Sequence, residues 1–171
     1  TEVSDYTTVG RWQYDRGWGN LYVSNIRRYR KNWPKMKKLI KRLIRMFKYD
    51  DFVFPPDQME LMAVQELRSE MPSDAHRIKT IKRIDFKGDK HARASVLSDR
   101  CEGGQVYVTS SRHSKLFIDE HVKFPDLHDD FVDMSSVATH HFELQKIFDF
   151  AIVKNAPIKS AYERQLLEKV Q

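Results

Sequence analysis

Apolar side chains recur along residues 34–48 with the period of an α-helix. They stand at steps of three and one, at Met36, Leu39, Ile40, Leu43, Ile44 and Phe47. This spacing predicts an amphipathic helix that carries one apolar stripe. Pro34 suits the first turn of such a helix, because the N–H that proline lacks has no helical acceptor there.

The polar side of this helix is strongly cationic. Residues 27–48 contain eleven basic residues and no acidic residue. Cations four positions apart on a helix repel each other, so this one-sided excess favours an anionic partner over a merely solvated face. Lys37, Lys41 and Arg45 are therefore expected to lack partners within the chain. The residues predicted to contact a partner or lipid are Trp33, Lys37, Lys41, Arg45, Arg77, Lys82 and Arg83.

Further helical patterns are weaker. They cover residues 21–31, 58–71, 75–87, 89–97, 139–154 and 160–170. Pro72 ends the second of these patterns, over residues 58–71, because proline cannot continue a helix. Residues 1–20 are polar, with Trp12, Tyr14 and Trp18 as aromatic anchors, which predicts an irregular amino-terminal arm.

The character of the chain changes at residue 98. Residues 105–109 predict a short strand, and residues 115–118 predict its partner in a hairpin. An acidic loop is expected over residues 119–133. The fold class is therefore predicted as mostly α: a small multi-helix core, an irregular arm, and a carboxy-terminal extension that is α+β or irregular. The predicted division is an arm (1–20), a helical domain (21–97) and an extension (98–171).

Composition narrows the class of partner without choosing one. The chain has 171 residues, a formal net charge of +6 and a pI near 9.4. A basic balance favours nucleic acid, a phospholipid surface or acidic protein as the partner. No apolar run is long enough to span a bilayer, and the first residues lack the apolar core of a secretory signal. Cys101 is the only cysteine, which excludes an intramolecular disulfide and a cysteine-based zinc site.

Motifs for catalysis are missing from the sequence. There is no phosphate-binding glycine loop and no nucleophile elbow. Histidines gather after residue 110, at His113, His121, His128, His140 and His141. Their spacing does not match a helical metal-binding pair. We therefore expect a protein that is not an enzyme in its own right and has no cofactor and no metal.

Three interpretations of the basic helix remain open at this stage. In the first, the apolar stripe fits a groove on another protein. In the second, Tyr29 and Trp33 stack on bases while the cations hold RNA phosphates. In the third, the helix lies on a membrane surface, with its basic sides on anionic lipid headgroups and its apolar stripe dipped into the membrane.

Several motifs in residues 22–95 resemble the subunit 7 family of the mitochondrial cytochrome b-c1 complex. They begin with the basic aromatic helix and Lys48-Tyr49-Asp50-Asp51. A helix containing Met62-Ala63-Val64-Gln65-Glu66-Leu67 and stopping at Pro72 follows. Arg77-Ile78-Lys79-Thr80-Ile81-Lys82-Arg83 and then Lys90-His91 complete the pattern. The resemblance ends near residue 95, and the extension from residue 98 has no counterpart in that family.

The resemblance implies a small, mostly helical accessory subunit without a redox centre. It implies a peripheral location on the matrix side of the mitochondrial inner membrane, and a role in assembling and stabilising ubiquinol–cytochrome c reductase. The implied partners are cytochrome b, cytochrome c1 and the core subunits, with anionic phospholipid headgroups as a further possibility and no nucleic acid. The alternative is a basic structural protein of a mitochondrial ribosome or another RNA-binding assembly.

Overall fold

The computed structural model describes residues 6–48, 50–82, 88–125 and 128–144. Within these ranges the strands are β1 (Thr7–Asp15), β2 (Asn20–Tyr29), β3 (Phe52–Phe54), β4 (Ile78–Thr80) and β5 (Val106–Val108). The α-helices are α1 (Trp33–Met46), α2 (Gln58–Glu70), α3 (Lys90–Glu102), α4 (Ser114–Lys123) and α5 (Asp130–Leu144), and a 3-10 helix spans Pro72–Arg77. The fold is therefore mixed α/β with a large helical share, and not mostly α as predicted.

The amino-terminal part of the chain is a β-hairpin, so the predicted arm and the predicted helix over 21–31 are wrong. Strands β1 and β2 pair antiparallel, with Trp12 opposite Val23 and Tyr14 opposite Leu21. The chain reverses through a turn in which the Gly19 N–H donates to the Asp15 carbonyl oxygen at 2.8 Å. Gly19 has a positive φ of 69°, which glycine adopts without steric cost.

A bulge in β2 explains why this strand has a helix-like pattern. The register shifts between Val9 and Arg11, opposite Asn25, which has a positive φ of 51°. The extra residue lets Val23 and Ile26, three positions apart, both face the core, where both are fully buried. A spacing of three is typical of a helix, and here the bulge produces it in a strand.

Helix α1 is observed where it was predicted, and its apolar stripe packs inside the chain. Its buried residues Met36, Ile40 and Ile44 join one core cluster with α2, the 3-10 region and β4. The other buried members of this cluster are Val64, Leu67, Met71 and Ile78. Helix α2 also matches its prediction over 58–71. The apolar stripe is therefore not available to enter a groove on a partner protein or a bilayer.

The segment after Pro72 is not the helix predicted over 75–87. The 3-10 helix ends at Arg77, and β4 follows directly, parallel to β3 with Phe52 opposite Ile78. Ile78 is fully buried, so pairing with β3 places its side chain in the core cluster. Residues 83–87 lie outside the described residues.

The part of the chain after residue 97 adds to the same sheet. Strand β5 confirms the strand predicted at 105–109, but it pairs in parallel with β2 in the sheet order β1-β2-β5. The predicted hairpin partner at 115–118 is wrong, since this segment lies in α4. Phe117 and Glu120 are the buried residues of α4, and their spacing of three has the helical period.

Helix α3 runs through the predicted division between residues 97 and 98. It confirms and lengthens the helix predicted at 89–97, and its Leu97 packs on Leu21 of β2. Helix α5 starts at Asp130, inside the predicted acidic loop, and shares only residues 139–144 with the helix predicted at 139–154. The remainder of that helix and the one predicted at 160–170 lie outside the described residues.

An ionic cluster holds α4 and α5 against the sheet. The Arg28 guanidinium of β2 donates to Glu120 at 3.3 Å and also forms an ion pair with Asp130. The Arg28 and Glu120 side chains are only 10% and 4% exposed. Glu120 also accepts a hydrogen bond from the backbone N–H of Phe131. Because a buried charge is costly without partners, this cluster fixes how the three elements meet.

None of the described helices combines the length and the apolar character needed to cross a membrane.

Replacing Ile44 by alanine tests whether the stripe of α1 is core. Ile44 is fully buried, so the loss of its contacts should lower the free energy of unfolding by about 2–5 kcal/mol. Met46 lies on the same helix and is 56% exposed, so Met46→Ala should change the free energy of unfolding by less than about 0.5 kcal/mol. Urea unfolding of both variants makes the comparison. Equal effects would show that the stripe is not packed inside the chain.

Candidate interaction surface

The residues of helix α1 lie on three sides of the helix that have different surroundings. One side holds the buried stripe of Met36, Ile40 and Ile44. A flank turns Lys37 and Lys41 toward α2. The outer side presents Lys35, Lys38, Arg42 and Arg45, which are all exposed. Because successive residues of a helix are rotated by about 100°, neighbours such as Lys37 and Lys38 have different surroundings.

The flank toward α2 is a network of ion pairs. Lys37 Nζ lies 2.6 Å from Glu66 Oε1 and 2.7 Å from Glu70 Oε1, and Lys41 Nζ lies 2.8 Å from Glu70 Oε2. Trp33 Nε1 donates to Glu66 Oε2 at 2.7 Å. The prediction that Lys37 and Lys41 lack partners within the chain is therefore wrong, since α2 supplies the acids that the basic segment lacks.

These contacts shift the pKa values of the network. Hydrogen bonds from Lys37 and Lys41 lower the pKa of Glu70 from 4.5 to about 2. The hydrogen bond from Lys37, followed by that from Trp33, lowers the pKa of Glu66. Hydrogen bonds to Glu66 and Glu70 raise the pKa of Lys37. The network is thus fully charged near neutral pH, and the two flank lysines add little positive potential to the outer side.

Arg77 is a structural residue at the end of α1. Its guanidinium donates to the carbonyl oxygen of Ile44 at 2.7 Å, to that of Phe47 at 3.2 Å and to that of Lys48. Arg77 is only 7% exposed, and Asp74 lies 3.6 Å from its Nε. The last carbonyls of a helix have no helical donor, so Arg77 satisfies them and places a positive charge at the negative end of the helix.

The exposed side of α1 forms what we call the cationic ridge, defined as Lys35, Lys38, Arg42 and Arg45. None of these four side chains forms an ion pair with another described residue. Their steps of three, four and three place them along one line of the helix surface. Ten residues separate the first from the last, which corresponds to about 15 Å along the axis.

The ridge contains no aromatic side chain. Tyr29 and Trp33, which the sequence offered for stacking on bases, are partly buried and pack against the core cluster of α1 and α2. Of the large apolar side chains of α1, Met46 is the exposed one. The ridge is therefore a cationic surface with little apolar or aromatic area.

The structure distributes the predicted contact residues among different roles. Trp33, Lys37, Lys41 and Arg77 make contacts within the chain, whereas Arg45 and Lys82 are exposed. Arg83 lies outside the described residues. Lys35, Lys38 and Arg42 were not among the predicted contact residues. Glu66 and Glu70, four residues apart on α2, were the signal that could have assigned Lys37 and Lys41, also four apart, to a neighbouring helix.

The described histidines and acids do not assemble a metal centre. No group of three or more His, Cys, Asp or Glu side chains among the described residues is placed to hold a metal ion. His121, for example, is hydrogen-bonded to the Phe117 carbonyl oxygen and to Ser135 at 2.8 and 2.9 Å.

Comparison of the chain with protein-family models, with curated proteins and with solved structures found no match.

Arg77 and Lys82 should respond differently to the same substitution. Arg77→Met removes the donors to three carbonyl groups and should lower the free energy of unfolding by about 2–4 kcal/mol. Lys82 is exposed and lacks an ion pair among the described residues, so Lys82→Met should change the free energy of unfolding by less than about 0.5 kcal/mol. Chemical denaturation of the two variants checks this difference. If Arg77→Met is as stable as the parent, the role assigned to Arg77 is wrong.

The pKa of Glu70 predicts how stability depends on pH. The pKa is lowered in the folded chain, so the contribution to stability is fully present above 4.5 and is lost as the pH falls toward about 2. The stability difference between the parent and Glu70→Gln should therefore shrink across this window. Urea unfolding at several pH values measures it, with Glu102→Gln as a control at an exposed acid on α3. A difference that stays constant with pH would contradict the assignment.

Proposed function

We propose that this protein is a non-catalytic accessory subunit that helps to assemble and stabilise mitochondrial ubiquinol–cytochrome c reductase. In this proposal it lies peripherally on the matrix side of the inner membrane and supports respiratory electron transport. Its partners are cytochrome b, cytochrome c1 and the core subunits. The resemblance of residues 22–95 to the subunit 7 family names the complex, and the structure supplies a surface suited to docking.

The cationic ridge is the observation that carries the docking role. A folded chain gains nothing from four aligned cations that repel each other and form no ion pair with another described residue. Lys37 and Lys41 on the same helix find acids at 2.6–2.8 Å, so the chain places acids where its own stability uses them. Leaving the ridge uncompensated suits contact with an anionic surface outside the chain.

The motif residues behind the resemblance have a coherent structural use here. Asp50 and Asp51 lie between α1 and β3, Pro72 begins the 3-10 helix after α2, and Arg77 binds the end of α1. Together they set the path from α1 through α2 to β4. Their order and spacing thus fix how α1 is held, which supports treating the motifs as one unit.

Purification of the tagged 171-residue chain from gently solubilised mitochondria tests the proposal. Co-purification of cytochrome b, cytochrome c1 and the core subunits, identified by mass spectrometry, is the expected result. Recovery of ribosomal proteins and RNA would overturn the proposal in favour of the alternative, a structural protein of a mitochondrial ribosome. Recovery of neither set would also overturn it.

A ridge variant tests whether the docking uses these cations. It carries Lys35→Gln, Lys38→Gln, Arg42→Gln and Arg45→Gln. Glutamine keeps the helix propensity of α1. Recovery of the complex should fall by roughly fourfold or more, because each of the four exposed ion pairs lost contributes about 0.2–1 kcal/mol.

The matched control changes four other exposed cations that have no ion pair among the described residues. It carries Arg16→Gln, Arg112→Gln, Lys115→Gln and Lys123→Gln. Both variants lower the formal net charge from +6 to +2, since each removes four positive charges. Equal loss of recovery in both variants would show that net charge, and not the ridge, drives the association.

A further inference from the structure

We infer that the cationic ridge binds the anionic phospholipid headgroups of a membrane surface by electrostatic attraction, without inserting apolar side chains. This inference names the partner of the ridge. It rests on the proposed function, because that function places the protein at a membrane.

The geometry of the ridge suits an extended anionic surface. Four cations lie along about 15 Å of one straight helix side, and exposed Lys31 and Lys48 continue the positive charge beyond both ends. Lysine and arginine near an anionic leaflet are attracted to its surface potential. A helix lying flat on such a surface brings all four ridge cations to the headgroups together.

The remainder of α1 makes this attraction one-sided. The ion pairs with Glu66 and Glu70 neutralise Lys37 and Lys41 on the flank, and the stripe around Ile40 is buried. The positive electrostatic potential of α1 is therefore strongest on the side of the ridge. This asymmetry favours an orientation of α1 in which the ridge faces an anionic plane.

The buried stripe separates this mode of binding from that of an inserting amphipathic helix. An interfacial helix places its apolar face among the acyl chains. The apolar face of α1 is already occupied by the core, and Met46 alone is a large exposed apolar side chain on this helix. Binding should therefore depend almost entirely on charge and weaken steeply with salt, because the screening length falls from about 10 Å at 0.1 M to about 3 Å at 1 M.

Two other anionic partners fit the ridge less well. Sequence-tolerant binding of single-stranded nucleic acid uses aromatic side chains that stack on bases, and Tyr29 and Trp33 are packed against the core instead. Protein interfaces have a desolvated centre that is rich in aromatic and apolar side chains and poor in charge. The ridge has the opposite composition.

Vesicle sedimentation with the 171-residue chain tests the inference. The probes are phosphatidylcholine vesicles and vesicles of phosphatidylcholine mixed with phosphatidylglycerol, each at low and high salt. The parent chain should bind only the anionic vesicles, and only at low salt. The ridge variant should bind them roughly 600-fold more weakly, since each cation near the surface contributes about fivefold. The control variant should keep most of the affinity of the parent.

Any one of four results would overturn the inference. Equal weakening of the ridge and control variants would show a response to net charge alone. Binding that survives high salt would show insertion of apolar groups. Tighter binding to RNA than to anionic vesicles, lost in the ridge variant, would assign the ridge to nucleic acid. Circular dichroism of both variants should match that of the parent, and a folded ridge variant that binds anionic vesicles as tightly as the parent refutes the inference directly.

The vesicle and purification experiments fail independently. Vesicle binding without recovery of respiratory subunits would reject the proposed function and keep the headgroup site. Recovery of those subunits by the parent and the ridge variant alike, with no vesicle binding, would keep the function and reject the site.

Discussion

Burial of the apolar stripe of α1 is the constraint on which the rest of this surface depends. Ile40 and Ile44 can leave water only by facing α2 and β4, where Leu67 and Ile78 complete the cluster. Removing such side chains from water is the main favourable term in folding. Once that side is fixed inward, helical geometry decides the direction of every other residue of α1 without further choice.

The charges of α1 then divide by position and not by type. Lys37 and Lys38 are adjacent in sequence, yet Lys37 bonds two glutamates while Lys38 belongs to the ridge. Arg77, far along the chain, is drawn to the same helix because the carbonyls at its end need donors. Cations that look equivalent in the sequence therefore serve three purposes: pairing with a neighbouring helix, satisfying a helix end, and facing solvent.

The hairpin shows where the local sequence pattern predicts a different element from the one in the tertiary structure. Val23 and Ile26 have a helical spacing, but the bulge at Asn25 turns both toward α4 and α5 as parts of a strand. Strand β4 behaves similarly, because Ile78 was assigned to a helix and instead pairs with β3. The partner of β4 is distant in sequence, so its hydrogen bonds leave no periodic signal near Ile78. In β2 the bulge itself replaces the alternating pattern of a strand.

The sequence by itself determined the helices with strong periodicity or clear breakers: α1, α2 with its stop at Pro72, and most of α3. It also determined the excess of positive charge around α1. The tertiary structure alone decided which cations remain available and which elements are strands. The physical reason is the separation along the chain of the residues that interact. The hydrogen bonds of a helix and the spacing of its apolar stripe involve residues only three or four positions apart. The pairing of β5 with β2 and of Lys41 with Glu70 joins residues that only the folded chain brings together.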